Sequence, residues 1–189
     1  HPNALRFKDK NQIAKIVHFK DLENFTTKGT AIVGRVNTQV TTNKEKLTLF
    51  TFIGKDVAKR KGLMAQLSAW FSLEGYPIHS ISTSNTFVSI YINSNFNKNL
   101  YKRLHQEFVE KLKLFLCLNA VEDVAEITVS NHIFVETPGI ISMISNTLAG
   151  EGINIIEMVT AHTDIVIYVS RTLLKKSEQI LKDKFTNVY

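Results

Sequence analysis

The chain carries two copies of one pattern. Gly62-Leu63-Met64-Ala65-Gln66-Leu67 opens a stretch that continues through Leu73-Glu74-Gly75-Tyr76-Pro77-Ile78 to Val88-Ser89-Ile90-Tyr91-Ile92. A shift of 77 positions (139 minus 62) turns it into Gly139-Ile140-Ile141-Ser142-Met143-Ile144, then Gly150-Glu151-Gly152-Ile153-Asn154-Ile155, then Ile165-Val166-Ile167-Tyr168-Val169, with no gap. Gly62/Gly139, Ser68/Ser145, Glu74/Glu151, Gly75/Gly152, Ile78/Ile155, Thr83/Thr160 and Tyr91/Tyr168 are identical pairs, and apolar positions match between them. Such self-similarity fixes the architecture before any local reading. Two like copies point to a sensor or an interface rather than one buried active site.

Each copy reads as β-α-β-β-α. Residues 47–53 are β-branched and aromatic with no breaker, which predicts a strand. Leu63, Leu67, Trp70 and Phe71 recur at helical spacing across 62–74, and Gly75 supplies the stop. Strands are expected at 77–83 and 86–92, around the polar turn Ser84-Asn85. Leu100, Leu104, Phe108, Leu112 and Phe115 share one face of a helix predicted over 97–115. The second copy gives a strand at 125–131, a helix at 139–150, strands at 154–160 and 164–170, and a helix at 174–185. Residues 116–121 are available as a closing strand for the first copy. The fold class is α+β: two ferredoxin-like βαββαβ modules, each a two-layer sandwich with its helices on one face. Before the repeat, 13–19 and 29–33 read as two short strands joined by the polar loop 20–28, with a polar link at 41–46.

Composition excludes several classes. Among 189 residues, no apolar run is long enough to span a bilayer and no signal-peptide pattern opens the chain, so a cytoplasmic protein without a membrane partner is expected. The single cysteine, Cys117, has no internal partner for a disulfide and reads as a buried structural thiol. The net charge of +6 is spread along the chain, with Lys59-Arg60-Lys61 its densest group, and no nucleic-acid-binding motif accompanies it. No nucleic-acid partner is expected. The six histidines show no metal-ligand spacing, and no phosphate loop, nucleophile elbow or carboxylate pair is present, so no catalytic residue and no metal site is assigned. The start at His1-Pro2 reads as a cut from something longer.

Within each copy, the loop between first strand and first helix is the natural place for a small anion, because a helix N-terminus presents unpaired N–H groups. In the first copy this is Val57 to Met64; in the second it is Glu136 to Ile141. Opposite the first loop lies Ile78-His79-Ser80-Ile81-Ser82-Thr83-Ser84-Asn85-Thr86, whose hydroxyls and amide fit a polar ligand and equally fit a Ser/Thr-rich turn.

The repeat resembles the ACT domain, a small-molecule-sensing module that usually binds amino acids. Ile81-Ser82-Thr83-Ser84-Asn85-Thr86-Phe87-Val88-Ser89-Ile90 is similar to the ISTSE-x-x-IS stretch in the regulatory tail of aspartate kinases. Thr137-Pro138-Gly139-Ile140 and Gly152-Ile153-Asn154-Ile155 resemble the family's PG and INI elements. His1-Pro2, Ile13-Ala14-Lys15-Ile16-Val17 and Lys28-Gly29-Thr30-Ala31-Ile32 resemble the run that closes the kinase domain. The resemblance implies a division into 1–34 (end of the kinase domain and linker strands), 35–121 (first ACT module) and 122–189 (second module), with a strand near 33–41 available to complete the second. It implies that the parent phosphorylates L-aspartate with ATP and Mg, toward lysine, threonine and methionine. This chain would be its regulatory part, non-catalytic and without a cofactor of its own.

The family binds an end-product amino acid at the first module. By position that selects Val57, Lys59, Arg60, Lys61, Gly62, Leu63 and Met64 on the loop, with Ile78, His79, Thr83, Ser84, Asn85 and Thr86 opposite. The resemblance further implies a homodimer through ACT sheets and threonine or lysine as effector. His79 stands where lysine-sensing relatives carry Asp, and Asn85 where the motif has Glu; both remove charge that would hold a lysine ammonium, which favours threonine or another neutral amino acid. The second module lacks the Thr-Ser pair, having Thr160-Ala161, and is expected to be mainly structural. A free-standing tandem-ACT regulator and a ligand-free dimerisation module are the alternative readings.

Overall fold

The computed structural model describes residues 8, 11–24, 26–32, 38–93 and 97–186. A small antiparallel hairpin comes first, β1 (Ala14–Ile16) with β2 (Thr30–Ile32), joined by a 3-10 turn at Phe19–Asn24 where a loop was expected. The elements that follow are β3 (Gln39–Thr42), β4 (Leu47–Ile53), α1 (Leu63–Leu73), β5 (Ile78–Thr83), β6 (Phe87–Asn93), α2 (Lys98–His105), β7 (Cys117–Ser130), α3 (Ile140–Gly150), β8 (Ile155–Ala161), β9 (Asp164–Ser170) and α4 (Leu174–Thr186). His1-Pro2, Val33 and the first part of the 33–41 segment lie outside the described residues.

β3 to β9 form one continuous antiparallel sheet in the order β5-β6-β4-β7-β9-β8, with β3 also on β7. β7 is the hinge of this arrangement. Its first half pairs with β4, from Ile53↔Cys117 to Leu47↔Val124. Its second half pairs with β9, from Val124↔Ser170 to Ser130↔Asp164, and with β3, from Thr42↔Ile127 to Gln39↔Ser130. One strand therefore closes the first module's sheet (β5-β6-β4-β7) and opens the second's (β8-β9-β7-β3). The border drawn at 121/122 falls inside it, and the chain crosses the second module's sheet before it builds the first.

Among the described residues, three apolar clusters hold the molecule together. Phe50, Phe52, Leu67, Phe71, Leu104 and Phe108 lie in the first, between the sheet and helices α1 and α2. Ile127, Ile144, Leu148, Ile167, Leu181 and Phe185 lie in the second, under α3 and α4. The third joins the two sheets: Leu47, Leu49, Tyr91, Val124 and Tyr168. β4 serves two clusters at once, Phe50 and Phe52 on its helix side and Leu47 and Leu49 on the other. A strand covered on both faces reads as a near-continuous apolar run, as Leu-Thr-Leu-Phe-Thr-Phe-Ile does.

Two expectations are corrected. The helix predicted to 115 ends its α-helical part at His105 and continues as a π-turn over Gln106–Lys111. The Leu112 N–H bonds the Glu107 carbonyl, five residues back, so the apolar stripe slips; Leu112 is 44% exposed, and Phe115 enters the core from the following loop. Cys117 is exposed rather than buried. It starts β7 beside Leu118, and since neighbours on a strand point to opposite faces, burying Leu118 turns the thiol outward.

Candidate effector site

The loop after β4 and the turn between β5 and β6 are docked by main-chain bonds. The Gly54 N–H donates to the Thr86 carbonyl at 2.8 Å and the Val57 N–H to the Asn85 carbonyl at 2.8 Å. Val57 and Leu63 are buried in the first core and Met64 packs against it, so these three position the loop from below. Gly62 caps α1 with φ +76°, a left-handed conformation that glycine adopts without strain. Thr83, Asn85 and Thr86 are exposed at the rim and Ser84 is half-buried. Lys59 is paired with Asp56 at 2.8 Å, and Lys61 is exposed. The Arg60 guanidinium bonds the Leu114 carbonyl through one nitrogen and the Lys55 carbonyl, at 3.2 Å, through the other. It ties the loop to the segment leading into β7.

Ile78 and His79 sit elsewhere. Ile78 packs against the first core. β5 shifts register between Ile78 and Ser80, which places His79 at a bulge and aims it at the second module: Nε2 lies 2.6 Å from Glu126 Oε2, both largely buried. Further polar contacts cross the same interface. The Ser82 hydroxyl donates to Glu157, and the Tyr91 phenol donates to Glu157 Oε2 at 2.6 Å. Tyr168 is hydrogen-bonded to Ser80. The two tyrosine rings stack with centroids 3.8 Å apart and planes 14° from parallel. Burial, reinforced by the Glu157 carboxylate, pushes the Tyr91 phenol far above its ordinary range, and burial raises Tyr168 likewise, partly opposed by the Ser80 hydrogen bond. The residue-type cues at Glu126 and Glu157 were present in the sequence, but only the sheet-on-sheet packing shows what they face.

The repeat holds at the level of single bonds. Gly54 N–H to Thr86 is matched by Asn131 N–H to the Thr163 carbonyl at 2.9 Å. Gly62 is matched by Gly139 at φ +86°, and the β5 bulge by one between Ile155 and Glu157 in β8. The second module's loop is nevertheless different: between α3's start and the β8–β9 turn lies a cavity of about 340 Å³. Sequence reasoning named the Glu136–Ile141 loop as a place for a small anion but expected the second module to be mainly structural. A larger cleft, about 600 Å³, runs between α1 and the α2 π-turn. Within it Arg103 pairs with Glu74 and Lys111 with Glu107, and the Arg103 guanidinium lies 5.6 Å over the Trp70 ring.

Two ferredoxin-like sandwiches share a strand, each with a loop and turn docked beside a helix N-terminus. No family model and no curated protein sequence matches the chain. Among solved structures the same fold occurs in aspartate kinases. The Clostridium acetobutylicum enzyme superposes with a TM-score of 0.67 at 14% identity, covering 77% of this chain and 34% of that one. The Thermus thermophilus aspartate kinase regulatory subunit does so at 0.61 and 14%, covering 80% and 99%. Escherichia coli aspartokinase III, in a complex with lysine and aspartate, gives 0.57 at 14%, covering 82% and 33%. The chain thus spans about a third of the whole enzymes and the full length of the separate regulatory subunit, and it has the fold of their regulatory regions. Among the described residues, no group of three metal-ligating side chains occurs and no helix is long and apolar enough to cross a membrane.

Proposed function

We propose that this chain is the amino-acid-responsive regulatory region of an aspartate kinase, cytoplasmic and dimeric through its sheet edges, with the effector held between the first module's loop and the β5–β6 turn. The observation that carries the reading is the docking of that loop onto the turn through Gly54, Val57, Asn85 and Thr86, within a fold otherwise met in aspartate kinase regulatory regions. β5 and β8 end the strand order, which supports pairing with a second copy, since unpaired strand edges seek partners. The first hairpin supports attachment to a further domain: Ile13, Ile16, Phe19 and Leu22 are each more than 60% exposed, an apolar surface that a kinase domain would cover.

Charge favours a neutral effector. His79 is turned into the inter-module interface, Asn85 carries no charge, and the loop's carboxylate, Asp56, is paired with Lys59. Confining a lysine ammonium there would lack compensation, so threonine is the preferred ligand. Binding would act on the kinase only through a difference in affinity between two packings of the modules.

Isothermal titration of the chain with threonine and with lysine, alongside Thr83→Ala, tests the reading. Saturable threonine binding weakened by Thr83→Ala supports it. Absence of binding by either amino acid to a folded dimer would leave a ligand-free dimerisation module.

A further inference from the structure

We infer that the second module carries its own ligand site, the cavity at the start of α3, and that it takes a neutral α-amino acid with an apolar side chain. The inference deepens the regulatory reading and rests on it for the class of ligand.

The lining falls at the repeat positions of the first loop and turn. Phe134, Thr137, Gly139 and Ile140 stand at the positions of Val57, Arg60, Gly62 and Leu63, and Thr160 and His162 at those of Thr83 and Asn85. One exchange changes the character of the site. Arg60 sends its guanidinium onto the Leu114 and Lys55 carbonyls, whereas its counterpart Thr137 is short and donates its hydroxyl to the Ile133 carbonyl at 2.7 Å. Thr137 itself lines the cavity. At about 340 Å³ the cavity falls at the small end of the range for small-molecule sites.

Its chemistry selects the ligand. Phe134, Val135, Ile140, Ile141 and Ile165 make one wall apolar; Thr137, Thr160 and His162 supply the polar groups. Neither Asp nor Glu lines it, so a second ammonium would be confined without a counter-charge; neither Lys nor Arg lines it, so a side-chain carboxylate would fare no better. An apolar side chain against the isoleucines leaves the ligand's charged end for the hydroxyls and for the N–H groups of the first α3 turn, which have no partner within the helix.

The test is titration of the 189-residue chain with L-leucine, L-methionine and L-lysine, for the wild type, Thr137→Arg and Thr83→Ala. The expected result is saturable binding of leucine or methionine, weakened at least tenfold by Thr137→Arg, unchanged by Thr83→Ala, and absent for lysine. Methyl NMR of the wild type gives a second readout that does not depend on a variant folding: Ile140, Ile141 and Ile165 should shift on saturation. Apolar amino-acid binding that Thr83→Ala abolishes and Thr137→Arg spares, or that leaves those isoleucines unmoved, overturns this site while the regulatory reading stands. Threonine binding with none by leucine or methionine does the same. Failure of every amino acid, threonine included, sinks both.

Discussion

Raising the pH should loosen the inter-module interface before it affects either helical layer. Tyr91 and Tyr168 are 0% and 1% exposed, stacked on one another, and both phenols are held well above the ordinary value of 10.0, chiefly by burial. Below pH 10 both the folded and the unfolded chain keep these protons, and the stacked pair contributes in full. Above it the unfolded phenols ionise while the folded ones do not. The unfolded state then binds fewer protons, so stability falls as pH rises toward the folded values. Each tyrosine contributes a slope approaching 1.36 kcal/mol per pH unit, so the pair removes about 2.7 kcal/mol between pH 9 and 11. That is a substantial part of the ~5–15 kcal/mol of a typical domain. Urea unfolding at pH 8, 9, 10 and 11 measures it. Tyr91→Phe should cut the alkaline loss to about 1.4 kcal/mol over the same interval, because one of the two titrations is gone. At neutral pH the same variant should be less stable by about 1–3 kcal/mol, since Glu157 loses a buried donor. An alkaline loss of the same size in wild type, Tyr91→Phe and Tyr168→Phe would refute the reasoning.

Leu104→Ala and Leu112→Ala form a second test, of the π-turn. Leu104 is fully buried and its truncation should cost about 2–5 kcal/mol in urea unfolding, whereas Leu112, 44% exposed, should change stability by less than about 0.5 kcal/mol. At Gly139 an added Cβ would meet nothing within 4 Å, so Gly139→Ala carries only the left-handed backbone penalty, about 1–2 kcal/mol by thermal or urea unfolding.

The repeat made most elements legible, because strand and helix periods recur in it with a fixed offset. β4 is found at 47–53 as expected, and α1, β5, β6, α3, β8, β9 and α4 lie within a residue or so of their predicted ends. The continuity of β7 was not legible. Asn119, Glu122 and Asp123 interrupt the apolar run, Asp123 adopts φ +53°, and the pairing with β4 shifts register nearby, so the segment reads as two strands with a break. The π-turn was hidden for a related reason: one added residue in a turn displaces later side chains without altering composition. At the site, loop and turn positions were readable from order and spacing. The direction of His79 was not, since a bulge reverses which face a strand residue occupies.

β5 stands between the candidate site and the interface. Its C-terminal end carries Thr83 into the turn docked on the first loop, and the same strand sends His79 and Ser82 across to Glu126 and Glu157. β8 occupies the matching place in the second module: Thr160 lines the cavity, while Glu157, three residues earlier, accepts from Ser82 and Tyr91. A ligand that moved either turn would pull on a strand whose polar side chains already have their partners on the opposite sheet. Buried hydrogen bonds of this kind hold while donor and acceptor stay in register and are expensive to leave unmade. Small strand shifts would therefore be resolved as one packing or another rather than absorbed gradually. β7 allows this without separating the modules. It belongs to both sheets and bends at Asp123, whose carboxylate pairs with Lys46 at 2.6 Å at the entrance to β4. The two loops, one tied by Arg60 to the segment before β7 and one lining a cavity at Thr137, thus bear on a single interface from opposite ends.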